Sequence, residues 1–418
     1  MIDGAYAGLR VLDVSQGIAG PYCGQMLQQL GADVIKVEPH EGDWSRKLGK
    51  SIDGLSALAM TYNRGKRSIA LDLKSANGQE IMRSLVTGVD ILIQNFRPTA
   101  AEKLGIGYSG LSQLNPRLIY ASISGYGTES PWADYPVTDL IAQAVSGLAI
   151  GNADSDGKPR SAKPYIADLT SGMYTAHAIG AALFARERSG NGGQIKVSLL
   201  AALAALQNGM LMENTWRRLF GGSGASSGTP ASATVPQGAF RSRDGYVVLA
   251  SLDDAMFWRI CDVLALSEWV SDPRMGTAVQ RLVHAEEINQ KVAALLSQKT
   301  SAEWTALFQG SNVLYAAVNN LDDFMSDPRV VMQGLLQGMP LPFTGDSTEF
   351  AEPGTDTLPI AALPGATGCD AMVIPRAPYI GEHTDEIMAE FGYSSVQVER
   401  LIQSGVLGRH VSQRETCG

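Results

Sequence analysis

The sequence predicts an α/β fold in which a doubly wound parallel sheet is followed by a smaller α+β unit. Over residues 1–125, short β-branched runs alternate with helical segments, which is typical of βαβ units. A Gly/Ser-rich stretch at 220–234 then ends a long helical region, and a hairpin pattern with several helices follows. In folds of this kind, ligands bind at the carboxyl ends of the parallel strands.

The elements of the large unit follow one another in order. The predicted strands are 9–15, 33–39, 67–73, 90–96 and 118–127, and Pro39 ends the second of them. The helices predicted between them are 20–32, which a Gly-Pro pair opens, 76–87 and 99–104. From 165 to about 217 the pattern becomes helical.

The second unit begins after the Gly/Ser-rich stretch, which is typical of a linker or mobile loop. Residues 238–251 predict a hairpin that turns at Asp244-Gly245, and helices are predicted at 254–265, 284–297 and 301–309. Beyond about 330 the chain is rich in Pro and Gly, and it ends in helices near 384–391 and 394–404. The predicted domains are therefore 1–220, 221–330 with the Gly/Ser-rich entry linker, and a C-terminal segment at 331–418.

The composition excludes several classes of protein. The chain has 418 residues, of which 45% are hydrophobic and 18% charged, as in ordinary globular proteins. A net charge of −9 argues against a nucleic-acid partner, although a local basic cluster can still bind a phosphorylated ligand. The N-terminal residues lack a secretory signal pattern, and no apolar run is long enough for a membrane span. The expected location is therefore the cytoplasm, without a membrane partner.

Short motifs exclude further classes. The four cysteines are isolated, so neither a disulfide framework nor a metal site is expected. The chain has no GxGxxG and no GxxxxGK[ST], which disfavours dinucleotide and P-loop binding. A GxSxG match at 224–228 lies inside the Gly/Ser-rich stretch, without the strand that a serine hydrolase would place before it.

Basic residues cluster near the ends of two predicted strands. Three lie at the start of the strand 67–73, one follows this strand and two flank the end of the next: Arg64, Lys66, Arg67, Lys74, Arg97 and Lys103. Loops at strand ends can converge on one anion, and this predicts a site for a phosphate group. From composition alone, solvated surface charges remain the simpler interpretation.

One carboxylate, Asp168, stands at the start of a helix whose sequence is otherwise small and apolar, "KPYIADLTSGMYTAHAIGAAL" at 163–183. Local physics favours a helix cap, because an Asp side chain accepts hydrogen bonds from the free N–H groups of the first turn. The alternative is a catalytic carboxylate, and the local pattern does not distinguish the two.

Taken together, the segments resemble the class III CoA-transferase family, which includes the formyl-CoA and carnitine CoA-transferases. Eight segments occur in the family's order: "LRVLDVSQGIAGPYCGQMLQQLGADVIKVEP", "NRGKRSIALDLK", "DILIQNFRP", "LIYASISGYG", "ADLTSGMYTAHAIGAAL", "SGNGGQIKVSLL", "GAFRSRDGYVVLA" and "APYIGEHTDEIM". The resemblance implies a Rossmann-like large domain built from both chain ends, a small domain between them, and an interlocked homodimer.

The resemblance also implies residue roles. In this family the nucleophile is the Asp that opens the helix after the "GYG" segment, here Asp168. Coenzyme A is expected as a substrate and not as a permanently bound cofactor, along Ile18, Leu71, Asp72, Leu73, Lys74, Asn95, Phe96, Arg97 and Lys103. Of these, Arg97 and Lys103 would meet the 3′-phosphate. Two departures are Pro39, where formyl-CoA transferases have Arg, and Lys196, where many members have Asp.

The implied reaction moves CoA from an acyl-CoA thioester to a free carboxylic acid. Asp168 would form a mixed anhydride and then an aspartyl-CoA thioester, so that neither ATP nor a metal is required. Backbone N–H groups at the helix entrance are expected to hold the oxyanion. A small dicarboxylate is the expected acid, with Arg217, Arg218, Arg241 or Arg243 as partners for its second carboxylate or as ordinary surface charges.

Two alternatives remain at this point. An α-methylacyl-CoA racemase has the same fold but needs a His base before the Asp of "YPVTDLIAQAVSG", and Thr138 occupies that position. A non-catalytic acyl-CoA-binding protein would need no reactive carboxylate at all.

Overall fold

The computed structural model describes residues 4–154, 156–220, 234–341, 357–365 and 374–410. The chain forms two compact units, a large one of Met1–Glu213 with Leu335–Gly418 and a small one of Asn214–Gly334. The GxSxG match at 224–228, nearly all of the Gly/Ser-rich stretch, Cys369 and Cys417 lie outside the described residues.

The large unit contains a seven-stranded sheet, and the predicted parallel sheet is confirmed. Across the sheet the strands are Leu407–Gly408, Arg67–Leu71, Asp33–Glu38, Arg10–Asp13, Ile91–Gln94, Ile119–Ser124 and Gly193–Ser198. All neighbours pair in parallel except Leu407–Gly408, which runs antiparallel to Arg67–Leu71. The parallel strands follow the order 3-2-1-4-5-6, so the strand order reverses between Arg10–Asp13 and Ile91–Gln94.

One strand was not predicted. The region from 165 to about 217 was expected to be helical, but Gly193–Ser198 is a strand that pairs with Ile119–Ser124. Its residues alternate between partly buried and exposed, because it lies at the edge of the sheet. Polar residues such as Gln194 and Lys196 therefore interrupt the apolar run by which the inner strands were recognised.

The helices of the large unit include all of those predicted over residues 1–125 and at the C-terminal end. They are Ala19–Gln29, Ala57–Asn63, Ala76–Thr87, Pro98–Lys103, Tyr108–Leu114, Asp139–Val145, Leu148–Gly151, Ile166–Ser189, Leu199–Leu206, Thr384–Glu390 and Ser395–Gln403, with Asn208–Phe220 running across the boundary between the units. Among the described residues, no helix has both the length and the apolar character needed to cross a membrane.

The small, apolar residues of Ile166–Ser189 have a packing reason. This helix lies against Ala19–Gln29, and a Cβ atom on Gly172 would come within 2.6 Å of the Ala19 carbonyl oxygen. Only a residue without a side chain fits at so close an approach. Contact with this neighbour places the first turn of Ile166–Ser189 beside the sheet.

The small unit contains the predicted hairpin, Gln237–Arg241 with Tyr246–Ala250, joined by a third antiparallel strand at Leu314–Ala317. Its helices are Asp254–Val263, Ala278–Val283, Ala285–Leu296, Ser301–Phe308, Leu321–Ser326 and Pro328–Met332. Phe257, Trp269, Ile288 and Phe308 are buried in its core. In the large unit, Leu336–Pro340 and Thr357–Ala361 form a further two-stranded sheet.

Candidate active site

A cavity of the large unit lies where the strand order of its sheet reverses. The loop after Arg10–Asp13 and the loop after Ile91–Gln94 are joined there by two hydrogen bonds. The Gln16 N–H donates to Asn95 Oδ1 (2.8 Å), and Asn95 Nδ2 donates to the Gln16 carbonyl (2.7 Å). This is the crevice in which open α/β sheets bind their ligands.

Two adjoining spaces occupy this crevice. The larger, about 640 Å³, contains Asp168 and is called the Asp168 cavity below. The smaller, about 190 Å³, follows the carboxyl ends of the neighbouring strands and is called the groove. Gln16 and Phe96 line both spaces. An elongated ligand can therefore lie in the groove and reach Asp168 with one end.

Asp168 is the third residue of the helix Ile166–Ser189, and its side chain is half-buried in the cavity wall. Within the described part of the chain, its carboxylate accepts no hydrogen bond from another residue. Burial, and then the negative charge of Asp139, raise the pKa of Asp168 to about 7. Near neutral pH a large fraction of this group is an ionised, unpaired carboxylate, which is the form that acts as a nucleophile.

The residue that caps the helix is Asp139. Its Oδ2 accepts hydrogen bonds from the N–H groups of Ala167 (2.7 Å) and Asp168 (3.2 Å). The capping interpretation of Asp168 is therefore wrong, since another carboxylate fills that role. Of the N–H groups at the helix entrance, those of Ala167 and Asp168 already donate to Asp139 and so are not free to hold an oxyanion.

Gln143 completes this arrangement from the next turn of the helix Asp139–Val145. Its Nε2 donates to Asp139 Oδ1, and its Oε1 accepts from the Ala162 N–H (2.8 Å). The segment that leads into Ile166–Ser189 is thereby fastened at both of its ends to the same short helix. Asp139 and Gln143 are buried, which makes these hydrogen bonds costly to lose.

A second wall of the cavity is held by Asp43. This buried carboxylate pairs with Lys36 (2.9 Å) and accepts from the Gly17 N–H (2.9 Å). Gly17 has a φ of +83°, and a Cβ atom there would lie 2.1 Å from the ring of Trp44, which lines the cavity. Only glycine satisfies both the backbone conformation and the contact with Trp44.

The residues expected along CoA are distributed over the two spaces. Ile18, Asn95 and Phe96 line the Asp168 cavity. Leu71, Asp72, Leu73 and Lys74 line the groove, together with Phe96 and Pro39. The structure thus places seven of these residues around two neighbouring spaces that share Gln16 and Phe96.

Arg97 and Lys103 line neither space. Both are exposed, at the start and the end of the short helix Pro98–Lys103. They nevertheless act on one carboxylate: hydrogen bonds from Thr99, and then the charges of Arg97 and Lys103, lower the pKa of Asp134. The two cations therefore face a common region of the surface.

The other basic residues do not join them. Lys66 is buried and pairs with Asp13 (2.7 Å), while Arg67 pairs with Asp33 (2.5 Å) and Glu390 (2.7 Å). Arg64 is buried too, and its guanidinium donates to the carbonyls of Thr61 and Ala361. The predicted convergence of all six basic residues on one anion is therefore wrong for Arg64, Lys66 and Arg67.

Comparison with known proteins agrees with this geometry. Residues 6–384 match the family described as CoA-transferase family III. The chain belongs to CoA-transferase family III. It is 33% identical to the succinate–glutarate CoA-transferase of Agrobacterium fabrum, over 92% of this chain and 95% of that protein. It is 32% identical to the succinyl-CoA:glutarate CoA-transferase of Mus musculus, over 96% of this chain and 90% of that protein.

A solved structure supports the same assignment. The crystal structure of a CaiB/BaiF family protein from Brucella suis superposes with a TM-score of 0.80 and 28% identity. The match covers 92% of this chain and 98% of that one. The resemblance inferred from the sequence segments is thus confirmed, and the chain is an enzyme of the acyl-CoA:carboxylate CoA-transferase class.

Several residues of this family III site were not found from the sequence. The sequence did not reveal the roles of Asp139 and Gln143, because their hydrogen-bond partners are 19 to 29 residues away along the chain.

Thr138, at the position where a racemase would have His, lines the cavity and has no group that titrates near neutral pH. Among the described residues, no cluster of three or more His, Cys, Asp or Glu side chains can hold a metal.

Proposed function

We propose that the enzyme transfers CoA from an acyl-CoA to a small dicarboxylic acid, with Asp168 as the nucleophile. The observation that carries this proposal is an unpaired, half-buried carboxylate in a cavity that adjoins a groove lined by expected CoA-binding residues. The similar proteins from Agrobacterium fabrum and Mus musculus are named for succinate and glutarate, which are both dicarboxylates.

The first half of the proposed reaction loads CoA onto the enzyme. A carboxylate oxygen of Asp168 attacks the thioester carbonyl, and the C–S bond breaks to give a mixed anhydride and CoA thiolate. The thiolate then attacks the aspartyl carbonyl. The donor acid leaves as a carboxylate, and Asp168 remains as an aspartyl-CoA thioester.

The second half reverses these steps with a different acid. The incoming carboxylate attacks the aspartyl carbonyl, forms a new anhydride and releases the thiolate. The thiolate attacks the carbonyl of the acceptor acid, which leaves as acyl-CoA and returns Asp168 to its carboxylate form. The thioester bond energy is retained throughout, so the sequence balances without ATP.

The path for CoA follows the same geometry. In the proposed pose, the adenosine end lies in the groove along Leu71, Asp72, Leu73 and Lys74, and the thioester passes Phe96 and Asn95 to reach Asp168. Ile18 covers the chain near the thioester. Arg97 and Lys103 bind the 3′-phosphate at the exposed end.

The change Arg97→Ala is expected to weaken binding of CoA about tenfold, because a hydrogen-bonded cation partner of the 3′-phosphate is lost. Binding of dephospho-CoA, which lacks that phosphate, should hardly change. Calorimetric titrations with both ligands, at two salt concentrations, measure the difference and its screening. The exposed Arg83 lines neither space, so Arg83→Ala is the matched control. An equal loss for both ligands would remove Arg97 from this role.

A panel of acids tests the function itself. Purified enzyme is mixed with succinyl-CoA and glutarate, oxalate, mesaconate or acetate, and new acyl-CoA species are identified by mass spectrometry. We expect transfer to at least one dicarboxylate. Running the assay with 2-methylacyl-CoA in deuterated water tests the racemase alternative, since deuterium uptake at the α-carbon without transfer would overturn the proposal.

We also infer that the enzyme is a homodimer. The helix Asn208–Phe220 has no buried residue, although Leu211, Trp216 and Phe220 are among its large apolar side chains. Such a surface on an otherwise ordinary chain indicates a partner, and a second copy is what the family resemblance implies. Sedimentation at nanomolar protein concentration should still show a dimer, whereas a monomer that appears on dilution would contradict an interlocked pair.

A further inference from the structure

The Asp168 cavity has an acidic character that a carboxylic acid must overcome. Its charged lining residues are Asp139, Asp168 and Lys163, so Lys163 is the single cation among the described residues of the wall. The whole chain also carries a net charge of −9. A dianionic acid that enters such a cavity therefore needs a local positive partner.

Lys163 is available for that role. Within the described ranges no carboxylate forms an ion pair with it, in contrast to Arg160, which binds Asp154 (2.9 Å) in the same region. Burial and then the charge of Asp139 raise the pKa of Asp168, and no cation is among the causes of this shift. Lys163 and Asp168 thus line one cavity without forming an ion pair with each other.

The backbone on both sides of Lys163 is anchored to one helix, while its side chain is exposed. Gln143 holds the preceding residue, Ala162, through its N–H (2.8 Å) and its carbonyl (3.3 Å). Asp139, one turn before Gln143 on the same helix, holds the N–H groups of Ala167 and Asp168. The segment 163–167 is therefore anchored at both ends, which keeps the backbone of Lys163 near the cavity while its flexible side chain can adjust to a ligand.

We propose that Lys163 binds the distal carboxylate of a dicarboxylic acid while the other carboxylate reacts at Asp168. This assignment rests on the proposed transferase function and adds the residue that selects for dicarboxylates. An acid without a second carboxylate would leave the ammonium unpartnered, so the enzyme would bind it more weakly.

The test compares two acceptors of equal chain length, glutarate and pentanoate, with succinyl-CoA as the donor held at a saturating concentration for each variant. Lys163→Gln should raise the KM for glutarate about tenfold to a hundredfold, as expected for a lost hydrogen bond to a charged group. The KM for pentanoate should stay within about twofold. Lys163→Arg should restore most of the affinity for glutarate. Lys158→Gln removes an exposed cation outside the cavity lining and should change neither value.

Trapping of the acyl-enzyme separates the possible failures. If the wild-type enzyme forms no covalent species on Asp168, the proposed function fails and the assignment of Lys163 fails with it. If the species forms normally in Lys163→Gln and the KM for glutarate does not move, only the assignment of Lys163 is wrong. If instead the affinity for CoA itself falls while the KM for glutarate is unchanged, Lys163 serves the nucleotide substrate and the proposal is overturned.

Discussion

The change Asp168→Asn should reduce CoA transfer by about 10³-fold or more, because a neutral amide replaces the proposed nucleophile, on which both covalent intermediates would form. The fold should survive, since Asp139 and not Asp168 caps the helix. Initial rates with the best donor and acceptor pair measure the loss. Substantial activity in a folded Asn variant would show that another group attacks the thioester.

The same variant has a stability signature with a defined sign. The pKa of Asp168 rises from 3.8 to about 7 on folding, so the native wild-type enzyme binds this proton more tightly than the unfolded chain. Wild-type stability therefore falls as the pH rises between these two values, and the Asn variant escapes this loss. Its melting temperature should exceed that of the wild type at pH 8 and approach it near pH 4. A variant that is less stable at pH 8 would contradict the burial of an unpaired carboxylate.

The second large effect is expected at Asp139. Asp139→Ala removes the acceptor of two backbone N–H groups and lets the first turn of Ile166–Ser189 shift, which should lower kcat about 10²-fold. The loss of this cap should also destabilise the fold by about 1–2 kcal/mol. Thermal unfolding and initial rates give the two quantities separately.

Asp139→Asn removes the charge of this residue but keeps its hydrogen bonds to the helix. The amide oxygen still accepts from the Ala167 and Asp168 N–H groups, whereas the hydrogen bond from Gln143 is lost. The negative charge that helps to raise the pKa of Asp168 is gone. The acidic limb of the profile of kcat/KM against pH should therefore move to lower pH. The pKa of Asp168 should nevertheless stay above its ordinary value, because burial is the larger cause of the rise. Asp156→Asn removes an exposed carboxylate outside the cavity lining and should leave the limb in place. An unshifted limb in Asp139→Asn would rule out this electrostatic role.

Much of the fold could be predicted because the inner strands are buried on both faces. Runs such as "LRVLDVS" and "DILIQNF" are rich in Val, Ile and Leu for that reason, and the helices between them have ordinary amphipathic patterns. The edge strand Gly193–Ser198 was missed because its outer residues are exposed and polar. The pattern that identifies a buried parallel strand is absent at an edge.

The site was predictable only in part, because its hydrogen bonds link distant segments. A local pattern shows that a helix starts near Asp168, but the capping carboxylate comes from Asp139, which is 29 residues earlier than the N–H group of Asp168. In the same way, Lys66 and Arg67 form an obvious basic cluster in sequence, yet their ion pairs with Asp13 and Asp33 appear only in the folded chain. The role proposed for Asp168 comes from the family resemblance, and the structure adds the groups that surround its carboxylate.

The central claim is that Asp168 becomes covalently activated, and trapping measures this directly. Enzyme is incubated with succinyl-CoA alone and treated with hydroxylamine or borohydride, and the peptide that contains "YIADLTSGM" is sequenced by mass spectrometry. We predict a hydroxamate or an alcohol at Asp168, and neither product in the Asp168→Asn variant. Modification of Asp139 in place of Asp168, or an unmodified peptide from enzyme that still transfers CoA, would contradict the mechanism.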